Sequence, residues 1–462
     1  MFKTIIVLTA LCAANVVFSQ NTNVEGRYHS ASLSSSTDTK NPAPLNSDPF
    51  VKVSEAYHSR VDGITLSEIV ERSLSNNSEI KIARLEIEKA KARLGQAGLR
   101  ANPTLDVEQA SGRLAGSPGD TELRVGLSIP VDVNSERKRR IDLATIGVSL
   151  REAELSASER YLTGRILRSY VEALSTLSEL QVLDRLIDID TKTVVTVQVR
   201  VNEGDVSPLE LSLLQAEIEA LRVRRSLIES KLQTSLSTLK FYMGLPAEAP
   251  LKLSEDIETA QINRLPSTVN EGVALALRSR PEIRVAELEA LSASAGLRLI
   301  RSQSGPDVTA YVGYSQGRSA FDDPRGSFSQ KDRNMIFGVS IGLSIFDRKQ
   351  GSKAEASLSI EQANERKIFA EAVVKNEVTT LYQRIRSVDQ ALTTFRTIVL
   401  PHSEQNIETI KRVYELGEVT ITDLIAEQRK LLQVNRDMTE ALTEKYRAQA
   451  DLFIALGLQF GK

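Results

Sequence analysis

Asn334-Met335-Ile336-Phe337-Gly338-Val339-Ser340-Ile341-Gly342-Leu343-Ser344-Ile345 is the stretch on which the fold turns. Met335, Phe337, Val339, Ile341, Leu343 and Ile345 alternate with mostly small or polar residues, a period of two that puts all six on one face of a strand. The same alternation recurs earlier, where Leu123, Val125, Leu127, Ile129, Val131 and Val133 interleave with Glu122, Arg124, Gly126, Ser128, Pro130 and Asp132. A shorter partner precedes each run, Leu105 to Ala110 and Val308 to Tyr314, across a loop containing Gly and Ser. Strands of about ten residues with one apolar face suit a transmembrane barrel. They suit a half-buried sheet of a soluble domain equally well.

Working outward, the chain repeats itself. Thr65-Leu66-Ser67-Glu68 is matched by Thr268-Val269-Asn270-Glu271 (268 − 65 = 203), each read as a capping box that opens a helix. The same offset pairs Ser78-Glu79-Ile80 with Pro281-Glu282-Ile283 and Pro103 with Pro306. Farther on, Gly204 matches Gly417 (417 − 204 = 213) and Gln215 matches Gln428, so extra residues enter the second copy, with Arg318 to Lys331 the natural place. Each copy opens with a helix, from Leu66 to about Arg100 and from Val269 to about Ser302. No proline stands between Pro130 and Pro208, and Glu136 to Asn202 reads as one helix that reaches ~100 Å at 1.5 Å per residue. Its apolar residues step by threes and fours, through Leu143, Ile146, Leu150, Ala153 and Ala157 and then Ile166, Tyr170, Ala173, Leu177 and Leu180, a coiled-coil seam. The second copy repeats this from about Lys353 to Leu416, with Pro401 as a kink or break. A turn at Gly204 or Gly417 leads into a returning helix. The expected fold is mainly α with a small β part, one strand pair plus one long helical hairpin, duplicated.

Composition sets the limits. The 462 residues are 41% hydrophobic, 26% charged and 5% aromatic, with no Trp, one Cys, and 58 basic against 60 acidic side chains. Length alone suggests about three domains. Near-neutral charge argues against a nucleic-acid binder, because phosphate binding needs a basic excess. Residues 1–19 read as a cleaved secretory signal peptide, Lys3 preceding the apolar run Thr4 to Phe18. Cys12 lies within that run after Leu11, unlike a lipoprotein cleavage site, so no lipid anchor is expected. Residues 20–62, polar and rich in Ser, Thr, Asn and Pro, read as a flexible arm, and residues 63–250 and 251–462 as the two repeats. No later stretch is apolar enough for a membrane helix. Four strands leave two open edges that hydrocarbon does not tolerate, and barrels start at eight strands, so a membrane barrel built from this chain must be shared between subunits.

With repeat, strand pairs and tip pattern assembled, the chain resembles the outer membrane efflux (TolC) family from about Ile64 to Leu458. Phe346-Asp347-Arg348-Lys349-Gln350-Gly351 looks like the Phe-Asp-Arg-Asn-Gln-Gly pattern of the heavy-metal (CzcC-like) branch, with Lys349 where that branch has Asn. The resemblance implies a homotrimer in which three copies of four strands make one outer-membrane β-barrel, continued by a periplasmic α-barrel. It implies docking to a periplasmic adaptor (membrane fusion) protein and an inner-membrane resistance-nodulation-division pump. By the same resemblance the turns Gly204-Asp205-Val206-Ser207 and Gly417-Glu418-Val419-Thr420 meet the adaptor, and Glu210 and Asp423 help close the periplasmic aperture.

Read from the residues alone, Ser207 caps the helix that Pro208 begins, Glu210 completes its capping box, and both turns are also what any good helical hairpin would use. The family's second aperture acid falls on Ala426. His29, His58 and His402 show no metal-ligand spacing, and no phosphate loop, nucleophile elbow or zinc-protease motif is found, so neither an enzyme nor a cofactor is expected. The function expected is a passive exit duct, carrying heavy-metal cations or, alternatively, drugs or secreted protein. The rival from another class is a periplasmic coiled-coil adaptor.

Overall fold

A computed structural model describes residues 52–112, 120–257, 265–324 and 326–458. The signal peptide, Cys12, His29 and most of the polar arm lie outside the described residues. The arm's last residues do not float. A 3₁₀ turn, Val53–Ala56, lies against the helices, with the Ser54 amide donating to the buried Asp184 carboxylate (2.9 Å) and the Tyr57 hydroxyl to Glu229 (2.8 Å). Leu253 then forms bridges with His58 and Ile64, so from residue 52 onward the arm is tied down by backbone pairing that its polar composition does not reveal.

The two opening helices expected to be continuous are each broken into two, α1 (Leu66–Asn76) with α2 (Ser78–Ala97), and α5 (Val269–Ser279) with α6 (Pro281–Ser302). Asn77 is extended (ψ 132°) because its side chain caps α2 by accepting from the Glu79 amide at 2.9 Å. Arg280 is extended (ψ 124°) because Pro281 excludes the helical conformation from the residue before it. The Thr65–Glu68 capping box forms in full, whereas Thr268 only accepts from the Glu271 amide.

Strands β1 (Thr104–Ser111), β2 (Thr121–Val131), β3 (Asp307–Asp323) and β4 (Gly326–Gly342) form one antiparallel sheet in sequence order. The second hairpin is longer, 17 residues per strand against 8 and 11. Within the place where the extra residues were expected, Arg318 to Lys331, residues 318–323 and 326–331 are strand. Arg318 pairs with Lys331 and Gln316 with Arg333, polar residues whose pairing leaves no hydrophobic alternation to read. Val133, Leu343 and Ile345 fall just past the strand ends.

Both repeats turn from strand to helix through one left-handed residue, Ser135 (φ 57°) and Lys349 (φ 58°). Asp132 caps the first helix by accepting from the Glu136 and Arg137 amides, and Asp347 accepts from the Lys349 amide. The Phe346-to-Gly351 motif is therefore a corner, and the position where the heavy-metal branch has Asn is one that Asn tolerates better than Lys.

Helix α3 (Glu136–Glu203) runs unbroken for 68 residues and returns through α4 (Pro208–Met243). The second wall is α7 (Gln350–Thr394), a π-helical turn at Phe395–Val399, and α8 (Leu400–Glu415), returning through α9 (Ile421–Ala455). The π turn is the break expected at Pro401, whose missing N–H and ring clash interrupt the ladder four residues back. Ile166, Tyr170, Ala173, Leu177 and Leu180 of the seam are buried against Leu232, Leu236 and Leu239 of α4, while Leu143, Ile146 and Leu150 nearer the sheet stay half-buried.

Candidate functional site

The two hairpin tips lie together at the end of the helices away from the sheet. Gly204 (φ 84°) and Gly417 (φ 79°) take the left-handed conformation that lets a helix end and reverse within a few residues. Asp205, Ser207, Glu418 and Thr420 are exposed, while Val206 and Val419 tuck into one apolar cluster with Val197, Leu214, Ile421 and Leu424. Residues of both hairpins supply that cluster, so the tips are packed as a pair.

The two aperture candidates behave differently. Asp423 is exposed and closes a capping box, accepting from the Thr420 amide (3.0 Å) and hydroxyl (2.7 Å), bonds that hold its carboxyl below the usual carboxylate range. Glu210 does not close one. Ser207 accepts from the Leu209 amide, and the Glu210 carboxylate turns across to accept from the Tyr414 hydroxyl at 3.3 Å. Burial, and then Glu210 itself, push the Tyr414 phenol up. The Arg200 guanidinium lies 5.7 Å over the Tyr414 ring. Sequence reasoning overlooked Tyr414, although it is an aromatic three residues before the tip glycine in a chain with few aromatics.

A second junction lies farther up the same helices. Asp190 of α3, 1% exposed, accepts from the Gln428 amide of α9 at 2.9 Å. Burial pushes its carboxyl up to about 6, with Gln428 opposing and the Glu217 charge adding to the rise. Glu217 is itself paired with Arg429. Among the described residues no group of three or more His, Cys, Asp or Glu side chains is placed to hold a metal ion.

At the opposite end, the pairing register sorts the sheet into two faces. One carries Leu105 and Val107, then Leu123 to Val131, Val308 to Tyr314 and Met335 to Ile341 at alternate positions. This face is open: Leu105 is 66% exposed, Phe337 74% and Val339 65%. The other face is small and polar, with Gly126, Ser128, Gly313, Ser315, Gly338 and Ser340. Tyr311 lies on that second face across Gly126 and Gly313, where a Cβ at either glycine would come within 2.5 Å of its ring or hydroxyl. An apolar band on an exposed sheet face is the pattern of strands that face lipid.

The outer membrane efflux protein family model matches residues 69–245 and 273–458. The chain belongs to the outer membrane efflux protein family. It is 22% identical over 400 residues to the cobalt-zinc-cadmium resistance protein CzcC of Cupriavidus metallidurans, covering 85% of this chain and 90% of that protein. To the pyoverdine export outer membrane protein OpmQ of Pseudomonas putida it is 22% identical over 419 residues, 85% of each. Its fold matches a crystal structure of CusC with a TM-score of 0.70 at 18% identity, over 85% of this chain and 92% of that one. Outer membrane efflux proteins are channels, and no enzymatic activity attaches to the family.

Proposed function

We propose that three copies of this chain form an outer-membrane exit duct, their strands closing one β-barrel and their helical hairpins continuing it as a periplasmic α-barrel. The exposed apolar band on one face of the four-stranded sheet carries this reading. Among the described residues the sheet's edges are unpaired, which hydrocarbon does not allow, so in this reading the sheet closes with copies of itself. In this reading residues 63–250 and 251–462 are the two repeats of each copy, and residues 1–19 are removed on export with no lipid anchor left behind. The tips, Gly204 to Ser207 and Gly417 to Thr420, meet a periplasmic adaptor, and an inner-membrane pump supplies energy and selectivity. Glu210, through Tyr414, and Asp423, through its cap, hold the aperture. The likeness to CzcC favours heavy-metal cations as cargo.

The test is purification and reconstitution of the full-length protein. Expected are fractionation with the outer membrane, a detergent-stable trimer and stepwise ion conductance in planar bilayers. A chain that stays in the soluble fraction without detergent overturns the duct and favours the periplasmic adaptor. Restored cobalt, zinc and cadmium tolerance in a strain lacking its own duct supports the cargo, and unrestored tolerance with normal conductance overturns the cargo alone.

A further inference from the structure

The apolar face of the sheet ends in cations. Following the register away from the helices, the paired rows run Val131–Val308–Ile341, Ile129–Ala310–Val339, Leu127–Val312–Phe337 and Val125–Tyr314–Met335. The next row on the same face is Leu123–Gln316–Arg333, and the one after it Thr121–Arg318–Lys331. Arg318, Lys331 and Arg333 are exposed, and none makes an ion pair with a described residue. Arg318 stands directly opposite Lys331. Like charges facing across two strands destabilise the pair, so an arrangement that stacks a third cation one row away calls for an anion from outside the chain. Asp322 shares the cations' face two rows farther out, and the other acids nearby are engaged or turned away. Asp120 accepts from the Ala320 amide, and Glu122 and Asp332 belong to the small, polar face.

Position decides what that anion is. The helix-bearing ends of the strands are those at Thr104, Val131, Asp307 and Gly342, so the cations lie at the end remote from the helices. Tyr314 and Phe337 stand in the rows just before them, as aromatics do at the edge of a membrane band. From Val131 to Leu123 the band spans about 27 Å along the strand, which at a tilt of 35–45° covers ~19–22 Å, most of the ~25 Å apolar band of outer-membrane barrels. We infer that Arg318, Lys331 and Arg333 bind the phosphate groups of a phosphorylated glycolipid in the outer leaflet, with its acyl chains lying on the apolar band below. Two guanidiniums and an ammonium at the edge of that band match phosphates held at headgroup depth. The inference rests on the duct reading, since it needs the band to lie in a membrane.

The experiment titrates the purified full-length protein in detergent with bisphosphorylated lipid A and counts retained lipid by native mass spectrometry. Saturable retention is expected for the natural sequence, weakened about a hundredfold in Arg318→Gln/Lys331→Gln/Arg333→Gln at roughly fivefold per cation. Arg124→Gln, on the opposite face, should retain lipid as before. Equal retention by the triple variant and the natural sequence overturns the site. Displacement by inorganic phosphate alone also overturns it, because the ligand is then a free anion and not a lipid. Outer-membrane fractionation of both proteins separates the two levels: a triple variant that reaches the membrane but keeps its lipid removes this site only, and a natural protein that never reaches the membrane removes the duct reading as well.

Discussion

The two repeats build the same wall in two ways. With the offset of 213 set by Gly204 and Gly417, the π turn at Phe395–Val399 falls on Val182–Leu186 of the unbroken helix α3 (395 − 213 = 182; 399 − 213 = 186). Pro401, which forces the turn, falls on Asp188. In the first repeat this stretch holds Asp184, buried at 1% exposure, accepting from the Ser54 amide at 2.9 Å and lying 3.7 Å from the Arg225 guanidinium. In the second its counterpart is Thr397, exposed and bonded only within its own helix, to the Thr393 carbonyl. One hairpin is unbroken and strapped at mid-height by the turn at Val53–Ala56, and the other is interrupted at the same height, with no such strap among the described residues. The halves of the duplicated unit thus differ at one height, where α3 carries a strap and the second wall a π turn.

The most severe way to break that contrast is Asp184→Ala. It removes the acceptor of the Ser54 amide that anchors the strap, and with it a carboxylate 3.7 Å from the half-buried Arg225 guanidinium, a loss of about 1–3 kcal/mol. Thr397→Ala should change stability by less than about 0.5 kcal/mol. Chemical denaturation reads both, and equal losses would mean that the strap does not distinguish the repeats.

Asp190 sharpens the comparison through pH, since its counterpart is Ser403 (403 − 190 = 213) and the second repeat has no such acid. Its folded-state pKa of about 6 lies above the 3.8 of an unperturbed Asp, so between those values the folded chain holds the extra proton. Stability from this group is greatest below the lower value and is lost as pH rises through the upper one. From pH 7 down to pH 4 the α3–α9 junction should gain about 2 kcal/mol from Asp190. Asp190→Asn should remove that part of the pH dependence while the rest of the profile persists, as thermal unfolding across the range would read. A variant profile parallel to that of the natural sequence would mean Asp190 is ionised throughout.

The duplication, the long helices and the tips were legible because each rests on local chemistry: a repeated capping pattern, a 3.5-residue period, a glycine that frees φ. What stayed hidden depends on partners distant in sequence. Asn77 reads as an ordinary helical residue until its role as a cap breaks the helix, though Pro281 marks the equivalent break openly. The outer halves of β3 and β4 are invisible to hydrophobic patterning because Arg318, Ser319, Lys331 and Asp332 are polar whichever face they take, and only pairing makes them strand. The strap on Asp184 needs a bond across 130 positions. At the tips, position three after Ser207 and after Thr420 carries an acid in both repeats, yet only Asp423 caps its helix, because only Glu210 has a tyrosine 204 positions away within reach.

That last difference yields the smallest effect in energy and the most direct one for function. The Tyr414 hydroxyl donates to Glu210 at 3.3 Å, a long bond on a half-buried carboxylate, so Tyr414→Phe should lower global stability by only about 0.5–1 kcal/mol. The bond nevertheless joins the unbroken hairpin to the interrupted one at the end where both tips converge, and the ring itself stays packed in the apolar cluster that Phe preserves. If Glu210 and Tyr414 hold the hairpins closed, Tyr414→Phe and Glu210→Ala should raise single-channel conductance in planar bilayers to the same extent, and the double variant should go no further. Asp423→Ala acts through a different element, loosening the start of α9 by removing the Thr420 cap. Its conductance change should therefore add to theirs. Additive changes for Glu210 and Tyr414 would show that the two act separately and that the contact is incidental to the aperture.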